Sequence, residues 1–128
     1  MQKQRTFPWI QGLSAPTDAP QAVVAQCDTY GMAARVSLAS KSGGPWTDAW
    51  LANRIGVSRG YLCRVLKDQQ PMPDWMLVPI AYATGSRLVL QFDTLQRAMR
   101  AARVETERDV IRRLAQLARP QYEARAAA

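Results

Sequence analysis

The chain's most informative chemistry lies in 21 residues, TDAWLANRIGVSRGYLCRVLK, from Thr47 to Lys67. Helical spacing puts Arg59, Gly60, Cys63, Arg64 and Lys67 on one face of a short segment, with Ser58 just before it, Tyr61 within it and Arg54 shortly upstream. Guanidinium and ammonium groups bind anions, arginine through a planar fork of donors and lysine as a compact point charge. The whole chain is biased the same way: 17 Lys and Arg oppose 10 Asp and Glu, giving a net charge of +7. A polyanionic partner is therefore expected, either nucleic acid or an acidic membrane surface.

Other chemistries are poorly provided for. The chain has no histidine for general base work, no glycine-rich phosphate loop and no clustered pair of carboxylates, so an enzyme is not expected. Cys27 and Cys63 are far apart and lack histidine partners, which removes the usual zinc sites; they read as two free thiols, with no metal and no cofactor. No run approaches the roughly 18 apolar residues of a membrane span, and the N-terminus lacks the apolar stretch of a signal peptide. A cytoplasmic protein without a membrane partner is expected.

Local signals define the elements that must position the basic face. Thr47 is a good N-cap, and Trp46 before it is placed to staple onto Leu51, which predicts a helix from Asp48 to Ile55. Gly56 tolerates positive φ, and Ser58 repeats the cap, with Val57 stapling to Leu62, so a second helix runs from Arg59 to about Leu66. A steep crossing through so tight a turn needs a small residue at the contact, which Ala52 supplies. Leu51, Ile55, Val57, Leu62, Val65 and Leu66 have the phases to meet beneath the turn.

Around this pair the remaining segments are expected to be helical or irregular. Residues 1–20 hold Pro8, Pro16 and Pro20 and read as an irregular arm. Its Phe7, Trp9, Ile10 and Leu13 are apolar enough to dock on the core or on a second subunit. Gln21 to Lys41 has rough helical periodicity that Gly31 could split, and Ser42 to Pro45 ends it. Asp74 is a candidate cap for a helix ending at Gly85, in which Pro79 either introduces a kink or moves the start later. Arg87 to Phe92 fits a short strand or, by length and continuity, the start of a longer helix.

From Gln91 the composition is strongly helical until Pro120, after which fraying is expected. Phe92, Leu95, Met99 and Ala102 form one apolar stripe, and Val110, Ile111, Leu114 and Leu117 a second. The two do not share one heptad register, which leaves open a bend near Val104 to Thr106, a two-helix hairpin or a straight coiled coil. The expectation is an all-α fold: a helix-turn-helix bundle of four to five helices over residues 21–90, preceded by the irregular arm 1–20 and followed by a C-terminal helical extension over 91–128.

In these residues the chain resembles the helix-turn-helix of Cro and cI-type phage repressors, the XRE-like family. The resemblance rests on the Leu51-Ala52 pair, the Ile-Gly-Val-Ser run from Ile55 to Ser58, Leu62 and Val65, and Ile-Ala-x-Ala-x-Gly from Ile80 to Gly85. It covers about Leu38 to Leu90. It implies that the helix from Arg59 lies in the major groove of DNA, where Arg59 and Arg64 suit the two acceptors of guanine. Ser58 would cap the helix and donate to phosphate, and Lys67 and Arg54 would be phosphate clamps or solvated charges. Gly60 would mark a close approach to DNA or a tolerated helix glycine. Tyr61 would donate to phosphate or pack as a partly buried aromatic, and Cys63 would face DNA as a redox sensor or stay an ordinary thiol. Asp48 stands where family members commonly carry glutamine, and its carboxylate weakens one expected phosphate contact.

A lone helix-turn-helix buries little surface on DNA, so a homodimer reading two half-sites is expected. The candidate dimerisation residues are Phe92, Leu95, Met99, Ala102, Val110, Leu114 and Leu117; the same stripe could instead complete the monomer core. Together these readings point to a sequence-specific regulator of transcription, a repressor of the phage or mobile-element kind. The alternative is a DNA-binding accessory or adaptor protein, antitoxin-like or a recombination or replication factor, acting through a protein partner.

Overall fold

Helices, five of them short and a sixth of 40 residues among the described residues, account for most of the chain. The structure, a computed structural model, describes residues 7–127 and their side chains through residue 118. Two 3-10 turns, Pro8–Gly12 and Asp74–Met76, accompany helices α1 (Gln21–Gln26), α2 (Tyr30–Ser40), α3 (Asp48–Ile55), α4 (Arg59–Leu66), α5 (Leu77–Thr84) and α6 (Leu88–Ala127). The fold is all-α, and no strand forms among the described residues. The chain divides into two compact units, Met1–Thr94 and Leu95–Ala128.

The first unit folds around one core. Leu51, Leu62, Val65, Leu66, Met76, Ile80, Leu88, Val89 and Phe92 are among its fully buried side chains, drawn from α3 through the first turns of α6. Hydroxyl caps start three helices: Thr29 accepts from the Met32 amide, Thr47 from Trp50 and Ser58 from Tyr61, at 3.1, 3.1 and 3.2 Å. Each cap satisfies one backbone donor that the helix itself cannot. Gly56, at φ 88°, closes α3 in the left-handed region, and the amides of Gly56 and Val57 both donate to the Ala52 carbonyl, at 2.9 and 3.0 Å. The α3–turn–α4 pair thus has the expected boundaries.

Elsewhere the expectations need correction. The break between α1 and α2 falls at Cys27 to Thr29, not at Gly31, which sits inside the first turn of α2. Asp74 opens only a 3-10 turn, and α5 starts later, at Leu77. Pro79 then lies in the first helical turn, where an amide has no intrahelical partner to lose.

The arm docks on this unit rather than running free. Thr17 pairs with the α5–α6 turn, its amide donating to the Gly85 carbonyl at 3.0 Å and its carbonyl accepting from the Arg87 amide at 2.8 Å. The Gln91 side chain clasps the next backbone unit, accepting from the Ala19 amide and donating to the Ala19 carbonyl, at 2.8 and 3.1 Å. Phe7 stacks on Trp75 with ring centroids 6.5 Å apart.

Helix α6 is continuous from Leu88 to Ala127, which excludes the two-helix hairpin, and its backbone stays helical past Pro120 instead of fraying. The expected boundary at residue 91 falls inside this helix. Phe92, expected at a dimer surface, is 1% exposed and meets Tyr30 edge-on in the core, so it belongs to the fold of the first unit. In the second unit, side chains from Arg97 through 118 are exposed.

Candidate nucleic-acid interface

Helix α4 is anchored along one side and open along the other. Leu62, Val65 and Leu66 are 0–2% exposed in the core, whereas Ser58, Arg59, Gly60, Arg64 and Lys67 are exposed. Tyr61 and Cys63 are half-buried at the margin. The structure therefore brings seven of the eight expected contact residues onto or beside this one helix. Arg54, the eighth, extends from the last turn of α3.

The partners of these side chains refine the expected roles. The Cys63 thiol donates to the Asp48 carboxylate, Sγ to Oδ2, at 3.6 Å. Asp48 also sits in the first turn of α3, where a negative charge is favoured by the helix dipole. Asp48 thus has a structural use beside α4. A Cβ built on Gly60 would lie 3.5 Å from Arg64 Nη1, with nothing else near it. The Arg64 guanidinium thus lies beside Gly60. Arg54 lies 5.0 Å over the Trp9 ring, a cation–π contact that ties the arm to the end of α3.

Two features escaped the sequence reading. Asp68, just beyond α4 and in the left-handed region at φ 61°, accepts from the Gly31 amide at 3.1 Å through Oδ1 and from the Thr29 hydroxyl at 2.7 Å through Oδ2. It fastens the end of α4 to the start of α2. No local signal reveals this, because its partners are 37 and 39 residues away. Trp46, half-buried against the core that holds Leu51, also packs against Trp50 with centroids 4.5 Å apart, and Lys41 Nζ lies 5.0 and 5.6 Å from the two rings.

No family model, curated protein or solved structure matches the chain. Its chemistry must therefore be read from its own residues. Among the described residues no cluster of three metal-ligating side chains occurs, and no helix is long and apolar enough to cross a membrane. Burial, with a smaller contribution from the neighbouring Asp28 charge, raises the Cys27 pKa and keeps it a thiol. The exposed edge of α4 carries Arg59, Arg64 and Lys67, an arrangement suited to an anionic ligand.

Proposed function

We propose that the chain is a non-enzymatic, sequence-specific double-stranded DNA-binding regulator that acts as a homodimer in the cytoplasm. The observation that carries this reading is the two-sidedness of α4: Leu62, Val65 and Leu66 lock it into the core while Arg59, Arg64 and Lys67 stand exposed on the opposite edge. A rigid helix of this width fits the major groove, where base edges present distinct donor and acceptor patterns. Arg59 and Arg64 read bases, Ser58 and Lys67 hold phosphates, and Gly60 lets the backbone come close. The resemblance to Cro and cI-type repressors supports repression of a phage or mobile-element promoter.

Selection of bound duplexes from a random pool, followed by titration of the enriched site against scrambled DNA, tests the reading. A palindromic consensus bound at least a thousandfold more tightly than scrambled duplex is the expected outcome. Equal affinity for both, or none at low salt, overturns it. The exposed apolar residues of the second unit favour one other reading, an accessory or adaptor protein. Duplex binding that appears only with a second protein would support that one.

A further inference from the structure

Seven of the nine large hydrophobic side chains that stand exposed among the described residues lie between Leu95 and Leu117. Such a concentration on one helix marks an interaction surface. On the continuous α6, Leu95, Met99, Ala102, Thr106, Val110 and Leu117 follow one another at intervals of four, three, four, four and seven residues. Leu95, Thr106 and Leu117 are each eleven apart, as are Met99 and Val110. An eleven-residue repeat holds a stripe on one face at 3.67 residues per turn, so Val110 and Leu117 of the second segment continue the line of the first, with Ile111 and Leu114 to one side of it. Exposure of 38% at Leu95, 56% at Met99, 48% at Val110 and 67% at Leu117 leaves that line uncovered within the chain.

We infer that this stripe pairs with the same stripe of a second copy, antiparallel, about a centre at Thr106. The inference deepens the homodimer in the proposed function and does not depend on what α4 binds. Orientation follows from Arg113, which occupies the repeat position eleven residues after Ala102, inside the stripe. A parallel, in-register pair would set two Arg113 guanidiniums at one level of the seam. Antiparallel pairing separates them by roughly 20 Å along the axis and places each beside Met99 of the other copy, where its aliphatic stem packs. The same alignment sets Leu95 against Leu117 and Ala102 against Val110. Along one edge it brings Arg103 near Glu107 of the second copy, twice by symmetry; along the other Glu105 comes near Asp109 of the second copy, whose charge its own Arg112 offsets at 3.8 Å. Contact along about 33 Å of helix hides several hundred Å² per copy, which suits a specific but reversible dimer.

The test uses the full chain without DNA, so that its failure is separable from a failure of DNA binding. Sedimentation velocity from low to several hundred micromolar should show a monomer converting to a dimer; a monomer throughout overturns the proposal. Orientation is read by disulfide trapping in a Cys63→Ser background that carries Leu95→Cys, Thr106→Cys or Leu117→Cys. Thr106→Cys should cross-link to itself, and mixing Leu95→Cys with Leu117→Cys should give a linked heterodimer that neither forms alone. Self-linking of Leu95→Cys, or no mixed product from chains that sediment as dimers, refutes the antiparallel arrangement.

Discussion

Asp68 accepts a hydrogen bond from the Gly31 amide at 3.1 Å, and the contact is so close that a Cβ on Gly31 would lie 2.6 Å from both Asp68 Oδ1 and the Leu66 carbonyl. This one junction sets where α4 ends against α2. Gly31→Ala forces backbone apart and should destabilise the fold by about 1–3 kcal/mol. Asp68→Ala removes the acceptor of the Gly31 amide and the Thr29 hydroxyl and puts alanine at φ 61°, and should cost a similar ~1–3 kcal/mol. Asp68→Asn keeps an acceptor and tolerates the left-handed conformation, so it should cost clearly less. Urea unfolding of the three variants checks the order, and an Asp68→Ala chain as stable as the parent would show that the junction contributes nothing.

What could be read in advance and what could not divides along sequence separation. Thr47, Gly56 and Ser58 act within four residues of themselves, so the α3–turn–α4 boundaries were legible. Asp68, Gln91 and Thr17 act across 37 to 72 residues, and no local pattern announces such partners. Phe92 shows a different limit: apolar spacing says that a side chain seeks cover, but not whether its own core or a second chain supplies it. The heptad template misled in α6 because an eleven-residue line looks broken when counted in sevens. The exposed edge of α4 was legible as a set of residues, whereas the Cys63–Asp48 contact and the placing of Arg64 beside Gly60 needed coordinates.

Gly60 separates stability from recognition. An alanine there should stabilise the isolated protein by up to about 1 kcal/mol, because glycine in the first turn of α4 is a poorer helix former than alanine and the sole close atom belongs to the movable Arg64 side chain. If DNA backbone or bases come against this position, the same Gly60→Ala change should weaken duplex binding several-fold. Paired measurements of unfolding free energy and duplex affinity decide the matter. A more stable variant with unchanged affinity removes Gly60 from the interface.

Arg59 and Lys67 should fail in different ways. Arg59→Ala is expected to lose roughly 1–3 kcal/mol on the preferred site and to relax preference at one base position. Lys67→Ala should weaken specific and scrambled duplexes alike and lower the salt slope of log affinity by about one. Fluorescence anisotropy across a salt series separates these outcomes. Equal losses on both DNAs for both variants would mean that neither arginine nor lysine distinguishes sequence.

The two thiols provide a built-in footprint of the α4 edge. Cys27 is 7% exposed, and its raised pKa keeps it protonated, so an alkylating reagent at neutral pH should reach it only on unfolding. Cys63 is half-exposed on the margin of α4, and its labelling rate in the free chain should be the faster of the two. The raised value at Cys27 also fixes a sign for stability: the contribution is intact below the ordinary thiol range and fades as pH rises through it, because the unfolded chain ionises first. Saturating specific duplex should slow Cys63 labelling while leaving Cys27 untouched, since a helix seated in a groove shields its own margin. If Cys63 reacts equally fast with and without bound duplex, α4 does not form the contact surface, and the binding site must be sought on another face.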